Sequence, residues 1–100
     1  MIKSIKLHQT NALINQRNID DLIYVDRVSS DDYMEIIFKK GSNNQLYSFY
    51  YYDYDMTIDT VHESTVFIDD DDDLDVKVTP VKKVTKQITV TKYIRDDSND

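Results

Sequence analysis

The amino-acid sequence predicts a small, mostly β domain built from antiparallel hairpins, with at most one short helix. Ile, Val and Thr are plentiful, whereas Ala, Gly and Pro occur once each. Branched side chains suit a pleated, half-buried surface, so this composition favours strands over helices. Apolar and polar residues also alternate in several segments, which is typical of a sheet with one buried face. An α+β arrangement is the alternative if the helix forms.

The individual elements follow from local patterns. Residues 11–23 are the helix candidate, with Thr10 or Asn11 as N-cap, although their apolar spacing also fits a strand and loop. The clearest hairpin joins "YMEIIFKK" to "QLYSFYYYDYD" across 41–44, because Gly and Asn tolerate the left-handed backbone of a tight turn. A second hairpin is predicted between 74–79 and 84–94, turning at 80–83, because proline removes a backbone donor and ends a strand.

Length and composition predict one domain spanning 1–100, with 96–100 as a frayed acidic tail. One hundred residues with 40% apolar side chains suffice for a core. Cysteine is absent, which excludes disulfides and thiolate zinc sites. No segment resembles a signal peptide or a membrane span, so we expect a cytoplasmic location. The bias toward Ile, Asn, Lys and Tyr fits an AT-rich genome such as that of a phage. If the protein is encoded by a phage, we expect it in the cytoplasm of the host.

Charge is arranged in blocks along the chain. Residues 53–75 hold ten acids and no base, and residues 76–95 hold six bases and no acid. The net charge is −7, which repels nucleic acid and anionic membranes and attracts basic proteins. We therefore expect a basic protein as partner, with no direct nucleic-acid or membrane contact.

Five consecutive aspartates form the densest charge: Asp69, Asp70, Asp71, Asp72 and Asp73. A solvated loop is the simplest interpretation. Alternatively, carboxylates about 3.3 Å apart, joined by acids from neighbouring strands, approach the charge spacing of duplex DNA, about 1.7 Å. An EF-hand calcium loop is excluded because Leu74 replaces its glycine and Pro80 its final glutamate. No metal site or cofactor is predicted.

The segment "YSFYYYDYD", 47–55, carries aromatic rings on both faces of a predicted strand. Alternation places Tyr47, Phe49 and Tyr51 on one face and Tyr50, Tyr52 and Tyr54 on the other. One interpretation packs the first face into the core and covers the second with a helix. The other uses the second set as interface anchors beside Asp53, Asp55 and Asp59, for a partner rich in Arg and Lys.

Catalytic patterns are thin in the sequence, so we expect a protein that is not an enzyme. A triad of Ser64, His62 and an aspartate is the alternative, but Ser64 lies in no recognisable nucleophile turn. "HESTV", 62–66, begins like a zinc-binding HExxH helix, but Val66 occupies the second ligand position. Gly41 is the only glycine, which excludes a glycine-rich phosphate loop.

The overall composition, which is small, acidic and rich in Tyr and Asp, is similar to that of DNA-mimicking inhibitors deployed by phages and mobile elements against nucleases, repair enzymes or CRISPR effectors. This resemblance involves no aligned motif. It implies an anti-defence inhibitor, monomeric or dimeric, that binds a nucleic-acid-handling protein. From the charge and aromatic patterns we expect the contact to be made by Tyr50, Tyr52, Asp53, Tyr54, Asp55, Asp59 and Asp69 to Asp73. The alternative is a small assembly protein whose acidic and basic segments pair between subunits; a calcium-dependent module is a third class.

Overall fold

A computed structural model describes residues 2–62, 64–69, 74–85 and 91–96. Within these ranges the chain forms two antiparallel sheets and one short helix, which confirms the predicted fold class. The elements are β1 (Ser4–Lys6), α1 (Leu7–Ile14), β2 (Leu22–Ser29), β3 (Tyr33–Lys40), β4 (Leu46–Tyr52), β5 (Thr57–Asp59), β6 (Thr65–Phe67), β7 (Asp75–Lys77), β8 (Thr79–Thr85) and β9 (Thr91–Arg95).

The helix begins earlier than the sequence predicted, and only its second half falls within 11–23. Its start is fixed by Gln9, whose side-chain oxygen accepts a hydrogen bond from the Lys6 backbone N–H at 2.8 Å. It ends where Gln16 adopts a left-handed φ of 61°. The remainder of the predicted range is a loop followed by the start of β2, because the residues from Leu22 onward pair with β3.

The predicted hairpin between β3 and β4 is confirmed. Tyr33 pairs with Tyr52 at one end and Lys39 with Leu46 at the other, and Gly41 has a positive φ of 55° in the connecting turn. The strand predicted over 47–55 ends at Tyr52, because 53–56 form a turn. Tyr54 therefore lies beyond the strand and belongs to neither of its faces.

A β-bulge in β2 moves one carboxylate across the sheet. Tyr24 pairs with Phe38, but the next paired residue is Asp26, which lies opposite Ile37. Without the extra residue Val25, Asp26 would lie opposite Ile36 on the buried face. The bulge instead places Asp26 on the face that bears Ile37.

The core lies between the larger sheet and a cover formed by α1 with the β1–β7 sheet. Leu7 and Leu13 of the helix are fully buried, as is Val76 of β7. Their partners on the larger sheet are apolar and aromatic residues: Ile36, Phe38, Tyr47, Phe49, Tyr51 and Ile58. We call the sheet face toward this core the inner face and the opposite one the outer face.

The turn predicted at 80–83 is wrong, since these residues lie inside β8. β8 pairs with the first part of β4 and with β9. The basic block 76–95 therefore holds an antiparallel pair of strands, β8 and β9, which we call the basic hairpin. Pro80 lacks a backbone N–H, but this costs no hydrogen bond to β4. The Pro80 carbonyl accepts a hydrogen bond from Asp96 N–H at 2.9 Å, so it points toward the end of β9. The N–H and C=O of a strand residue point to the same side, so the missing N–H also faces the end of β9. Residues 97–100 of the predicted tail lie outside the described residues.

Candidate functional site

The aromatic residues of β4 divide between the two faces of the sheet as the alternation predicted. Tyr47, Phe49 and Tyr51 are buried in the core, whereas Tyr50 is 44% exposed on the outer face and Tyr52 is half-buried there. This confirms the core interpretation for the first set. No described helix covers the second set, because α1 packs on the inner face.

Tyr33 of β3 joins these two tyrosines. It lies opposite Tyr52 in the register, and its ring centroid is 5.4 Å from that of Tyr50 at an interplanar angle of 56°. Tyr50 and Tyr52 stand nearly perpendicular, at 89° and 5.8 Å. The three rings therefore present faces and edges in different directions.

The three rings line an open cleft of about 460 Å³ together with Asp32 and Glu35, which we call the tyrosine cleft. Glu35 lies opposite Tyr50 and is half-buried. Burial raises the pKa of its carboxyl above the ordinary 4.5, and a hydrogen bond with the Ser48 side chain acts in the opposite direction. The cleft thus combines aromatic walls with a poorly solvated acid.

Tyr50 also borders a second, smaller cavity of about 130 Å³ on its other side. That cavity is lined by Asp59, Lys77 and Thr79, among others. It lies where the edge of β4 passes from pairing with β8 to pairing with β5. Tyr50 is therefore the wall shared by both spaces.

A tyrosine from the basic hairpin lies against the same face. The Tyr93 hydroxyl donates a hydrogen bond to Asp26 Oδ2 at 3.0 Å, which joins β9 to β2 across the outer side of the sheet. The pKa of Tyr93 is raised to about 12. Burial is the largest cause, followed by the hydrogen bond to Asp26 and the negative charges of Asp26 and Glu35. Its hydroxyl therefore stays protonated as a donor at neutral pH.

Two of the predicted acids are held by neighbouring threonines. Thr57 Oγ1 donates to Asp55 Oδ1 at 2.7 Å, and Thr65 Oγ1 donates to Asp59 Oδ1 at 3.1 Å. The backbone N–H of Asp53 donates to the carbonyl of Asp32 at 3.2 Å, which holds these two residues together at the end of the β3–β4 hairpin. The carboxylates around the cleft are therefore attached to ordered backbone.

The outlying predicted residues have different surroundings. Tyr54 is 97% exposed in the turn after β4, and Asp69 is exposed just after β6. The predicted residues Asp70, Asp71, Asp72 and Asp73 lie outside the described residues. The structure thus brings Tyr50 and Tyr52 together beside Asp53, Asp55 and Asp59.

Ion pairs with the lysines and the arginine of 76–95 would neutralise an acidic docking surface within the molecule. Among the described residues, an ion pair joins Lys6 Nζ to Asp75 Oδ1 at 2.8 Å, and it involves none of the acids at the cleft. Lys82 and Lys83 are exposed on β8, and no ion pair links them to the acids that the structure describes around the cleft.

Sequence reasoning missed four members of this surface. Asp32, Tyr33 and Glu35 line the cleft, and Phe67 of β6 is 59% exposed on the same outer face, opposite Thr57. Tyr33 and Glu35 alternate with the apolar Met34 and Ile36 of β3, so the sequence alone places them on one face of the strand. The register with β4, which places that face beside Tyr50 and Tyr52, depends on the turn at 41–45.

Comparison with family models, curated proteins and solved structures gives no significant match. No helix in the described ranges has the length and apolar character needed to cross a bilayer. The same ranges contain no group of three or more acids or histidines placed to hold a metal ion.

Proposed function

We propose that this protein is a stoichiometric binding protein whose outer face occupies a basic surface on a nucleic-acid-handling protein, in the manner of an acidic DNA mimic. One observation carries the proposal: three tyrosines share an exposed sheet face with the carboxylates of Glu35 and Asp59. Asp32 lines the cleft at the end of this face, and the turn that follows β4 adds Asp53 and Asp55.

The chemistry of this face suits arginine and lysine side chains. Tyrosine supplies a large contact area with little side-chain entropy to lose, and its ring attracts cations. Carboxylates add charge-assisted hydrogen bonds, which are about twice as strong as neutral ones. A net charge of −7 speeds the encounter with a basic partner and opposes binding to nucleic acid itself.

The tyrosines are suited to binding rather than to nucleophilic chemistry. The pKa of Tyr52 is raised above the ordinary 10.0. The main cause is the charge of the neighbouring Tyr50, followed by the hydrogen bond to Tyr50 and the charges of Asp59 and Asp55. The pKa of Tyr93 is raised as well. A catalytic phenolate needs the opposite shift, because only a lowered pKa makes it available at neutral pH. These hydroxyls act as hydrogen-bond donors.

A charge-matched pair of variants tests the proposal. Asp32→Asn with Asp53→Asn removes two charges at the cleft, and Asp20→Asn with Asp21→Asn removes two charges from the loop before β2. Asp21 lies beside Gly41, at the far end of β3, about 23 Å along the strand from Tyr33. Both variants have the same net charge, so a difference between them reports position.

The assay is fluorescence anisotropy of a short labelled peptide of alternating arginine and glycine, at about 0.05 and 0.3 M salt. We expect one-to-one binding that weakens with salt, and about a tenfold loss in the cleft variant against less than a threefold loss in the control. Equal losses in the two variants would show that net charge alone drives association and would overturn the proposal. The partner class is then tested by whether duplex DNA displaces the protein from basic DNA-binding domains.

A further inference from the structure

The tyrosine cleft has the shape and chemistry of a receptor for one flat cation. Its volume of about 460 Å³ falls in the range of small-ligand sites, and it opens to solvent at the end of the β3–β4 hairpin. Tyr33 and Tyr52 lie opposite each other and both contact Tyr50, whose ring makes angles of 56° and 89° with theirs. A cation within about 6 Å of a ring centroid is attracted by the negative face of the ring.

The acid in the cleft favours arginine among the cationic side chains. Glu35 is half-buried and its pKa is raised by burial, so its carboxylate gains more from a cation than a solvated one does. A guanidinium group offers two parallel donors to a carboxylate, stacks on tyrosine and is weakly hydrated. Ammonium is a strongly hydrated point charge and gains less from such a site.

From this geometry we propose that the tyrosine cleft receives a single arginine side chain of the basic partner, stacked on Tyr50 and paired with Glu35, with Asp32 at the rim. This inference rests on the proposed function and deepens it. It makes the cleft the specific anchor, with Asp53 beside Asp32 at its rim, and it assigns Asp55 and Asp59 to long-range attraction.

Three blocked peptides of identical length test the proposal on the full chain, with arginine, lysine or citrulline at the centre and glycine elsewhere. Citrulline keeps the shape of arginine and lacks its charge. Binding is followed by amide and tyrosine-ring NMR shifts of the isotopically labelled protein, because a single side chain is expected to bind with a dissociation constant of about 1 mM. We expect arginine to bind at least about threefold more tightly than lysine, and citrulline to bind negligibly.

Variants in the cleft locate the contact. Tyr50→Leu is expected to weaken arginine binding about three- to tenfold, whereas Tyr50→Phe, which keeps the ring, retains most of it. Glu35→Gln preserves side-chain size and is expected to cost about tenfold. Tyr54→Leu is the matched control, because Tyr54 is 97% exposed outside the cleft. Amide spectra of every variant confirm that the fold is kept.

Shifts confined to 32–35 and 50–53, with the order arginine, lysine, citrulline, support the proposal. Equal binding of lysine, or tighter binding of tetramethylammonium, would overturn the assignment to arginine. If the single-arginine peptide causes no NMR shifts at the cleft residues, while the arginine-glycine peptide still binds with the salt dependence described above, this inference is wrong and the proposed function stands. If that longer peptide also fails to bind, both are wrong.

Discussion

Removing the Tyr93 hydroxyl is expected to destabilise the fold by about 1 kcal/mol, because this group joins β9 to β2. In the wild type it donates to Asp26 Oδ2 at 3.0 Å in a partly buried setting. A hydrogen bond to a charged group contributes about 1.5–3 kcal/mol, and solvent access to the pair reduces this. Tyr93→Phe keeps the ring and its packing, so the variant isolates the bond.

The pH dependence of this effect has a definite sign. The pKa of Tyr93 is about 12 in the folded protein, against the ordinary 10.0. The difference corresponds to about 2.7 kcal/mol, which partial exposure reduces to about 1 kcal/mol. Below pH 10 the phenol is neutral in both states; between about 10 and 12 the unfolded chain loses its proton first. The stabilisation is therefore complete at neutral pH and is lost as the pH rises through that window.

Urea denaturation of the wild type, Tyr93→Phe and Tyr54→Phe measures this prediction. Tyr54 is fully solvated in its turn, so its variant should match the wild type at every pH. The gap between wild type and Tyr93→Phe should be about 1 kcal/mol near pH 7 and should narrow as the pH rises from about 10 to about 12. A Tyr93→Phe variant as stable as the wild type at neutral pH, or a gap that stays constant to pH 11, would refute the reasoning.

The remaining predictions concern the cleft, the hairpin turn and the oligomeric state. Burial raises the pKa of Glu35, so Glu35→Gln should gain stability relative to wild type as the pH rises above 4.5 in denaturation experiments; a constant difference would contradict this. Gly41→Ala should lower the free energy of unfolding by about 1 kcal/mol, because φ is +55°; a Cβ would meet nothing within 4 Å, so only backbone strain contributes. Gly41→Asn should cost less, because asparagine tolerates this backbone better. No loss of stability in either variant would contradict the left-handed backbone at Gly41. Light scattering should find a monomer at low salt, because copies with a charge of −7 repel, and also at high salt, where screening weakens any pairing of opposite charges between copies. A dimer dissolved by salt would favour pairing of 53–75 with 76–95 between subunits.

The sheet was predictable from sequence where side-chain alternation is unambiguous. Tyr47, Phe49 and Tyr51 were placed on one face of a strand, and all three are buried. Gly41 marked the turn of the β3–β4 hairpin correctly. In such segments the burial pattern and the backbone period give the same answer.

Prediction failed where a distant contact decides the local structure. The start of α1 depends on Leu7, whose N–H donates a hydrogen bond to the carbonyl of Leu74 at 2.8 Å, and 11–23 lacks an apolar stripe that would mark a helix. Pro80 signalled a turn, yet its missing N–H faces the end of β9, so it can occupy the middle of a sheet. Neither relationship is visible in a window of the sequence.

The composition of the cleft was hidden by strand register. A shift of one residue between β3 and β4 would move Tyr33 and Glu35 to the opposite face from Tyr50. The bulge at Val25, which brings Asp26 to the outer face, has no sequence signal of its own. Tyr50 and Tyr52 were therefore placed correctly on the face opposite Tyr47, Phe49 and Tyr51, while their partners in the cleft were missed.

The most direct test of the central claim is the footprint of a basic DNA-binding domain on this protein, mapped by amide NMR shifts with and without duplex DNA. We predict shifts at the cleft and its neighbouring acids, 32–35 and 50–59, that disappear when excess duplex is added. A footprint centred on 15–27, or one that survives excess DNA, would contradict the account.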